Sequence, residues 1–307
     1  MTSYLDLSAI VHDKESAIKF LQEKELLPTE RNCCCGKKMK LPLSDKRDRF
    51  RCTDKKCAKE VSLKKDTWFE ACHLSYHMMI LFIFWWSHES TTLKFCKVHL
   101  KIASDHTIVD HNNFLREVCA WRLLEEPNVI GGPGKTVEID ETLVSRRKYN
   151  VGRLKKQTWV FGGICREDKQ CFLYVVPDRT QEMLESCIRA SVRPGTTIIS
   201  DCWRSYNGIE TMGLEYRHLT VNHSKNFVDP TSGACTNRVE SMWNVAKMKF
   251  KKMWGVSEPM VDSYLCEFMY RKRYANSNLF DRILHDIACY QNSLLRENLN
   301  DPSVDIS

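Results

Sequence analysis

Three acidic residues each stand in a local motif of their own: Asp140 in TVEIDET, Asp201 in TTIISDCWRSY and Glu240 in TNRVESMW. Carboxylates on separate elements suit phosphodiester chemistry. Breaking or making that bond requires a water or a 3′-hydroxyl to be activated and the charge on the leaving oxygen to be stabilised. A pair of divalent ions about 3.5–4 Å apart does both. Mg²⁺ keeps several of its waters, so Asp140, Asp201 and Glu240 suffice to hold two Mg²⁺ (or Mn²⁺) ions that also share a phosphate oxygen. The three acids are therefore expected to be both catalytic and metal-binding.

The elements that must position them are legible nearby. Asp140 ends a strand-like apolar alternation, and Asp201 ends the β-branched run TTII that follows the breaker pair Pro194 and Gly195. Both are expected at neighbouring strand ends of one sheet. Glu240 lies in a helical pattern whose buried stripe is Val239, Met242, Ala246, Phe250 and Met253, with Asn237, Glu240, Asn244, Lys247 and Lys251 on the polar side. Glu138 shares a strand face with Asp140 and is the closest competitor for the first ligand. Asp178, in VVPDRT, reads as a turn or helix cap rather than a ligand.

These motifs, in this order, resemble a known family. EIDET at 138–142, WVFGGICR at 159–166, CFLYVVPDRT at 171–180, SDCWRSY at 200–206, VNHSKNFVDP at 221–230 and TNRVESMWNVAK at 236–247 look like the catalytic domain of Merlin-type DNA transposases and their bacterial insertion-sequence relatives. The stretch runs from about Gly132 to Tyr274, and the 39 positions from Asp201 to Glu240 suit that family's short spacing. The resemblance implies an α/β, RNase H-like catalytic core, a mixed five-stranded sheet with flanking helices carrying a D-D-E triad. It also implies a role for His223, beside Asn222, in positioning a phosphate or stabilising the leaving oxygen; a hydrogen-bonded loop histidine is the alternative.

The chain holds 15 cysteines, an odd number, and its first 30 residues lack a signal-peptide pattern, which favours reduced thiols over a secreted disulfide scaffold. Cys33, Cys34 and Cys35 precede Gly36, and Cys52 and Cys57 follow after a Lys/Arg-rich loop. This pattern is close to a zinc ribbon, in which two cysteine knuckles give four thiolates to one tetrahedral ion. The expected ligands of one structural Zn²⁺ are Cys33, Cys35, Cys52 and Cys57, with Cys34 as alternate and His73 as an outside candidate.

Net charge is +7, and its placement is uneven. Residues 31–65 carry 13 Lys/Arg against four Asp/Glu, and SRRKYNVGRLKKQ at 145–157 carries six basic residues and no acidic one. Such clusters beside a phosphodiester site point to double-stranded DNA. Arg146, Arg147, Lys148, Arg153, Lys155 and Lys156, read as a hairpin arm, together with Asn237, Lys247 and Lys251, are the expected DNA contacts, with Trp203 lining the groove. Aromatic packing is the alternative for Trp203.

The expected order is a helical lead-in over 1–30, with Asp13 capping a helix, then a zinc ribbon over 31–70 and a helix-turn-helix module over 71–130 whose third helix is capped by Ser104. The catalytic domain follows over 131–297, with helices at about 258–275 and 278–297 closing it, and a tail over 298–307. The run Gly131-Gly132-Pro133-Gly134 reads as a hinge before the catalytic domain. Acidic residues on the third helix weigh against its reading DNA, which leaves the ribbon's basic loop or a purely structural helical module as alternatives. The longest apolar run, nine residues from Met78 to Trp86, is far short of the roughly 20 that span a bilayer and reads as a buried helix. Joining two DNA ends implies a dimer or higher assembly. The expected location is the nucleus in a eukaryote and otherwise inside the cell on DNA. A domesticated DNA-binding regulator and a host nuclease are the competing functions.

Overall fold

A computed structural model describes residues 3–43, 48–144, 157–222, 234–253 and 255–300. Their contacts divide the chain into two units, residues 1–118 with 276–307, and residues 119–275.

The first unit opens with α1 (Tyr4–Ile10) and α2 (Lys14–Glu23). Asp13 caps α2 as expected, its carboxylate accepting from the Ser16 N–H. A three-stranded antiparallel sheet follows, β1 (Met39–Lys40), β2 (Arg49–Cys52) and β3 (Glu60–Ser62), in that order. Then come α3 (Tyr76–Ser87), α4 (Leu93–His99) and α5 (Asp105–Glu125), the last crossing into the second unit. Ser75, Thr92 and Ser104 each accept from a backbone N–H three residues on, which starts the three helices. On α3, Met79 to Phe84 and Trp86 are all buried, so the helix is apolar all round and occupies the centre of its unit. No helix among the described residues is long and apolar enough to cross a membrane.

The second unit is an α/β structure around a mixed five-stranded sheet, which is the sheet expected. Its elements are β4 (Ile130–Gly131), β5 (Thr136–Leu143), β6 (Trp159–Cys165), β7 (Cys171–Val176), α6 (Gln181–Ser191), β8 (Val192–Arg193), β9 (Thr197–Asp201), β10 (Arg217–Val221), α7 (Asn237–Lys252) and α8 (Glu258–Arg273). The sheet order is β10-β9-β5-β6-β7. The strands β5, β6 and β7 run antiparallel to one another, whereas β9 and β10 are parallel to β5. One face packs Ile139, Phe161, Phe172 and Ile198 against Leu184 and Ile188 of α6, and the other packs Val160, Ile164 and Leu173 against Val239 and Trp243 of α7 and Leu265 of α8.

The contacts place two segments as follows. Gly131 lies inside the second unit, where β4 pairs with β8, and the Gly132 N–H donates to Thr196 Oγ1 at 2.8 Å. The division between the units instead cuts α5 after Val118. The glycines at 131, 132 and 134 serve positive-φ turns leading into β5. The final helix, α9 (Leu279–Asn300), belongs to the first unit and not to the sheet. Its Phe280 ring stacks on Phe20 and meets Phe84 edge-on, and Asp281 pairs with Lys24 at 2.8 Å.

Candidate active site

Asp140 and Asp201 come from adjacent parallel strands. The ladder pairs Thr136 with Thr197 and Glu138 with Ile199, so two further residues along each strand bring the two aspartates side by side. Asp140 does not end its strand, because β5 runs on to Leu143 along β6; it lies just beyond the last rung shared with β9. The two carboxylates feel one another. Burial, then the neighbouring charge of Glu141, then that of Asp201 push the Asp140 carboxyl up to about 7. Burial likewise raises Glu141, whose carboxylate accepts from the Tyr206 hydroxyl and lies 3.7 Å from an Arg179 guanidinium nitrogen.

A polar ladder from β5 fixes α7. Glu138, fully buried, accepts the Arg238 and Val239 N–H groups at 2.7 and 3.0 Å and pairs with Arg166 Nε at 2.6 Å. Two residues on, Asp140 accepts from the Trp243 indole N–H at 3.1 Å, and two further on, Thr142 Oγ1 accepts from the Lys247 ammonium. A four-residue helical step rises about 6 Å and a two-residue strand step about 6.6 Å, so the repeats match. Gly162, opposite Asp140 on β6, makes room: a Cβ there would sit 3.0 Å from the Trp243 ring and 2.7 Å from the Phe172 carbonyl oxygen. Glu240 follows immediately, exposed in the first turn of α7, accepting from the Thr236 hydroxyl at 3.2 Å.

The ISXO2-like transposase domain matches residues 131–273, the stretch that carries all three acids. An uncharacterized transposase-like protein of Haemophilus influenzae is 30% identical over 118 residues, which are 37% of this chain and 89% of that protein. The chain belongs to the ISXO2-like transposases. The insertion-sequence side of the expected resemblance is thereby borne out. Among solved structures, the catalytic core domain of HTLV-2 integrase in complex with magnesium is 13% identical with a TM-score of 0.31, covering 45% of this chain and 84% of that one. The catalytic core domain of BIV integrase is 14% identical with a TM-score of 0.32, covering 47% and 85%.

Within the transposase domain, the remaining expected residues have distinct surroundings. Glu138, the closest competitor of Asp140, is committed to α7 and Arg166. Asp178 accepts from the Thr180 N–H and hydroxyl and so forms the turn that starts α6, as expected. Lys247 contacts Thr142, whereas Asn237 and Lys251 are exposed on α7. His223 and the six basic residues Arg146, Arg147, Lys148, Arg153, Lys155 and Lys156 lie outside the described residues. Glu141, Arg166, Arg179 and Trp243 carry no expectation from the sequence. Trp243 had a signal, since it stands four residues beyond Val239 on the buried stripe.

In the first unit the cysteine segment closes on itself. The Sγ atoms of Cys33, Cys35, Cys52 and Cys57 all lie within 4.8 Å of one another, with Cys33 to Cys57 and Cys35 to Cys52 each at 3.5 Å. A tetrahedral ion with Zn–S bonds near 2.3 Å holds its sulfurs roughly 3.8 Å apart, so this donor set fits zinc. Gly36, at φ +80°, turns the first knuckle, and the Lys37 N–H, then the Cys52 thiol, bring Cys35 down to about 7, toward the thiolate a metal needs. Cys34 is exposed with Lys59 Nζ at 3.5 Å from its sulfur and, like His73, is not among the converging ligands. Among the described residues this tetrad is the only such convergence. The three acids do not close to that distance, nor does a two-ion site require it, because ligands to different ions are separated by the ions themselves.

Proposed function

We propose that this transposase is a D-D-E enzyme of Merlin type with an RNase H-like core. It binds the terminal inverted repeats of its element, cuts there and joins the 3′ ends to target DNA. The observation that carries this reading is the placement of Asp140 and Asp201 on adjacent parallel strands, each two residues beyond their last shared rung, within a matched transposase domain, with Glu240 on a helix registered on the same strand. The donor set fits two Mg²⁺ or Mn²⁺ ions. Asp140, Glu141 and Asp201 crowd negative charge, and Asp140's hydrogen-bond partner is a neutral indole, so divalent cations would relieve a repulsion already present. Asp140, Asp201 and Glu240 would hold the ions, which when bound activate the attacking oxygen and stabilise the departing one.

The chain's own residues supply position. Glu138 and Arg166 hold the start of α7 so that Glu240 meets the sheet at a set depth. The tetrad supports one structural Zn²⁺, which would fold the basic segment of residues 31–65 into a DNA-binding surface beside α3, α4 and α5. The arm at 145–157 and Lys251 would contact phosphates. Two DNA ends must be joined, so the working form is a dimer or larger, acting in the nucleus of a eukaryote or otherwise inside the cell on DNA.

The test is incubation of the purified chain with labelled terminal-repeat DNA and Mg²⁺, scored for nicking and for joining. Both products are expected, and both should vanish in Asp140→Asn, Asp201→Asn and Glu240→Gln while DNA binding is kept. Tight repeat binding with neither product would instead favour a regulator that has lost the chemistry.

A further inference from the structure

Beside the acids stands a stack that the chemistry above does not use. The Arg179 guanidinium carbon lies 3.8 Å from the ring centroid of Trp159 and 4.9 Å from that of Trp203. Trp203 is tied at both ends. Its backbone N–H donates to Asp201 Oδ1 at 2.9 Å, its indole N–H donates to Ser205 Oγ at 3.0 Å, and that hydroxyl donates to the Arg179 carbonyl at 3.0 Å. Trp159 packs against the core on the α6 side of the sheet, but Trp203 belongs to none of the hydrophobic clusters among the described residues, and it is 42% exposed.

Burial does not account for this tryptophan. A large ring with its polar edge satisfied from within, a cation against it and a fixed orientation is preorganised, so a partner that stacks on it costs little ordering. The partner's chemistry follows from the neighbours. The backbone of Trp203 is hydrogen-bonded to the Asp201 carboxylate, so a group on the ring would neighbour a phosphate held at the acids. Bases stack on aromatic side chains irrespective of sequence, since every base has a π face.

We propose that Trp203, backed by Arg179 and Trp159, receives an unpaired nucleobase from the strand whose phosphate is held at Asp140 and Asp201. This rests on the transposase reading and deepens it. Enzymes that act within a duplex gain from separating bases near the reacting bond, at a cost that a stacking surface offsets.

The experiment measures equilibrium binding of the full chain, by fluorescence anisotropy, to a forked duplex with a short unpaired 3′ arm. A single abasic position is moved along the arm in wild type, Trp203→Ala and Trp203→Phe. At one arm position the wild type should lose roughly 5- to 100-fold in affinity when the base is absent. Trp203→Ala should lose as much on the intact arm and nothing more when that base is removed, and Trp203→Phe should keep most of the affinity. Wild-type affinity in Trp203→Ala, or losses that multiply at every position, overturns the stack and leaves the transposase reading standing. Failure of the wild type to bind any of these DNAs overturns both.

Discussion

Asp140 brings together burial and crowded negative charge in one side chain. Its carboxyl titrates near 7 instead of the ordinary 3.8, because burial and then the charges of Glu141 and Asp201 disfavour ionisation. The folded protein therefore binds this proton more tightly than the unfolded chain does. The associated stability is complete below 3.8 and is lost as pH rises through about 7. On the proposed two-ion reading a divalent ion would compete with the same proton, so the increase in Tm caused by Mn²⁺ should be small well below pH 7 and grow above it. Thermal melts across that range check this, and Asp140→Asn should flatten the dependence; a metal effect indifferent to pH in the wild type would refute it. At this scale the sequence was informative where chemistry is local. The strands that carry Asp140 and Asp201 and the helix that carries Glu240 were legible from motif and periodicity, and the face that Glu138 shares with Asp140 from strand parity. The sandwich of Arg179 between Trp159 and Trp203 was not, because its members sit on a strand and two loops and share no periodicity.

Among elements, α7 starts on a distant partner. The N–H groups of its first turn do not donate to the Thr236 hydroxyl; Glu138, about 100 positions away, accepts from two of them. Glu138→Ala should cost about 3–5 kcal/mol, since it leaves the Arg166 charge and two helix N–H groups without their buried acceptor. Glu138→Gln, which keeps an acceptor, should cost less, and denaturant unfolding of the two variants measures the difference. Gly162→Ala should displace Trp243 from Asp140 and lower activity more than its small volume suggests. The stripe on α7 was readable because amphipathicity reports which face is buried. It does not report against what, and for the same reason the helix at about 278–297 is expected to close the catalytic domain, whereas α9 packs with α2 and α3. In the ribbon, Cys52→Ser or Cys57→Ser should release the metal and unfold residues 31–66, whereas Cys34→Ser should leave the zinc content, by elemental analysis, at one ion per chain. The spacing in CCCG left the choice among three cysteines open; Cys33 and Cys35, but not Cys34, converge with the second knuckle, beside the positive-φ turn at Gly36.

At the scale of the whole chain, charge and connectivity matter more than any single contact. Neutralising Arg146, Arg147 and Lys148 together should weaken binding to all DNA sequences alike and reduce the slope of log affinity against log salt by roughly 0.9 per lost phosphate contact. A selective loss of repeat recognition would show instead that the arm reads bases. Connectivity is the less obvious constraint, because the first unit needs residues 276–307 as well as 1–118. Deleting residues 276–307 should expose α2 and α3 to hydrogen exchange and proteolysis while the sheet of the second unit keeps its protection; equal loss in both would contradict the division. On a ribosome this sets an order of events. Residues 119–275 emerge before α9 and can fold while the N-terminal helices still wait for it. The part that would recognise the element's ends is thus finished only after the part that would cut them, and a prematurely terminated chain would release a folded catalytic sheet with an incomplete first unit.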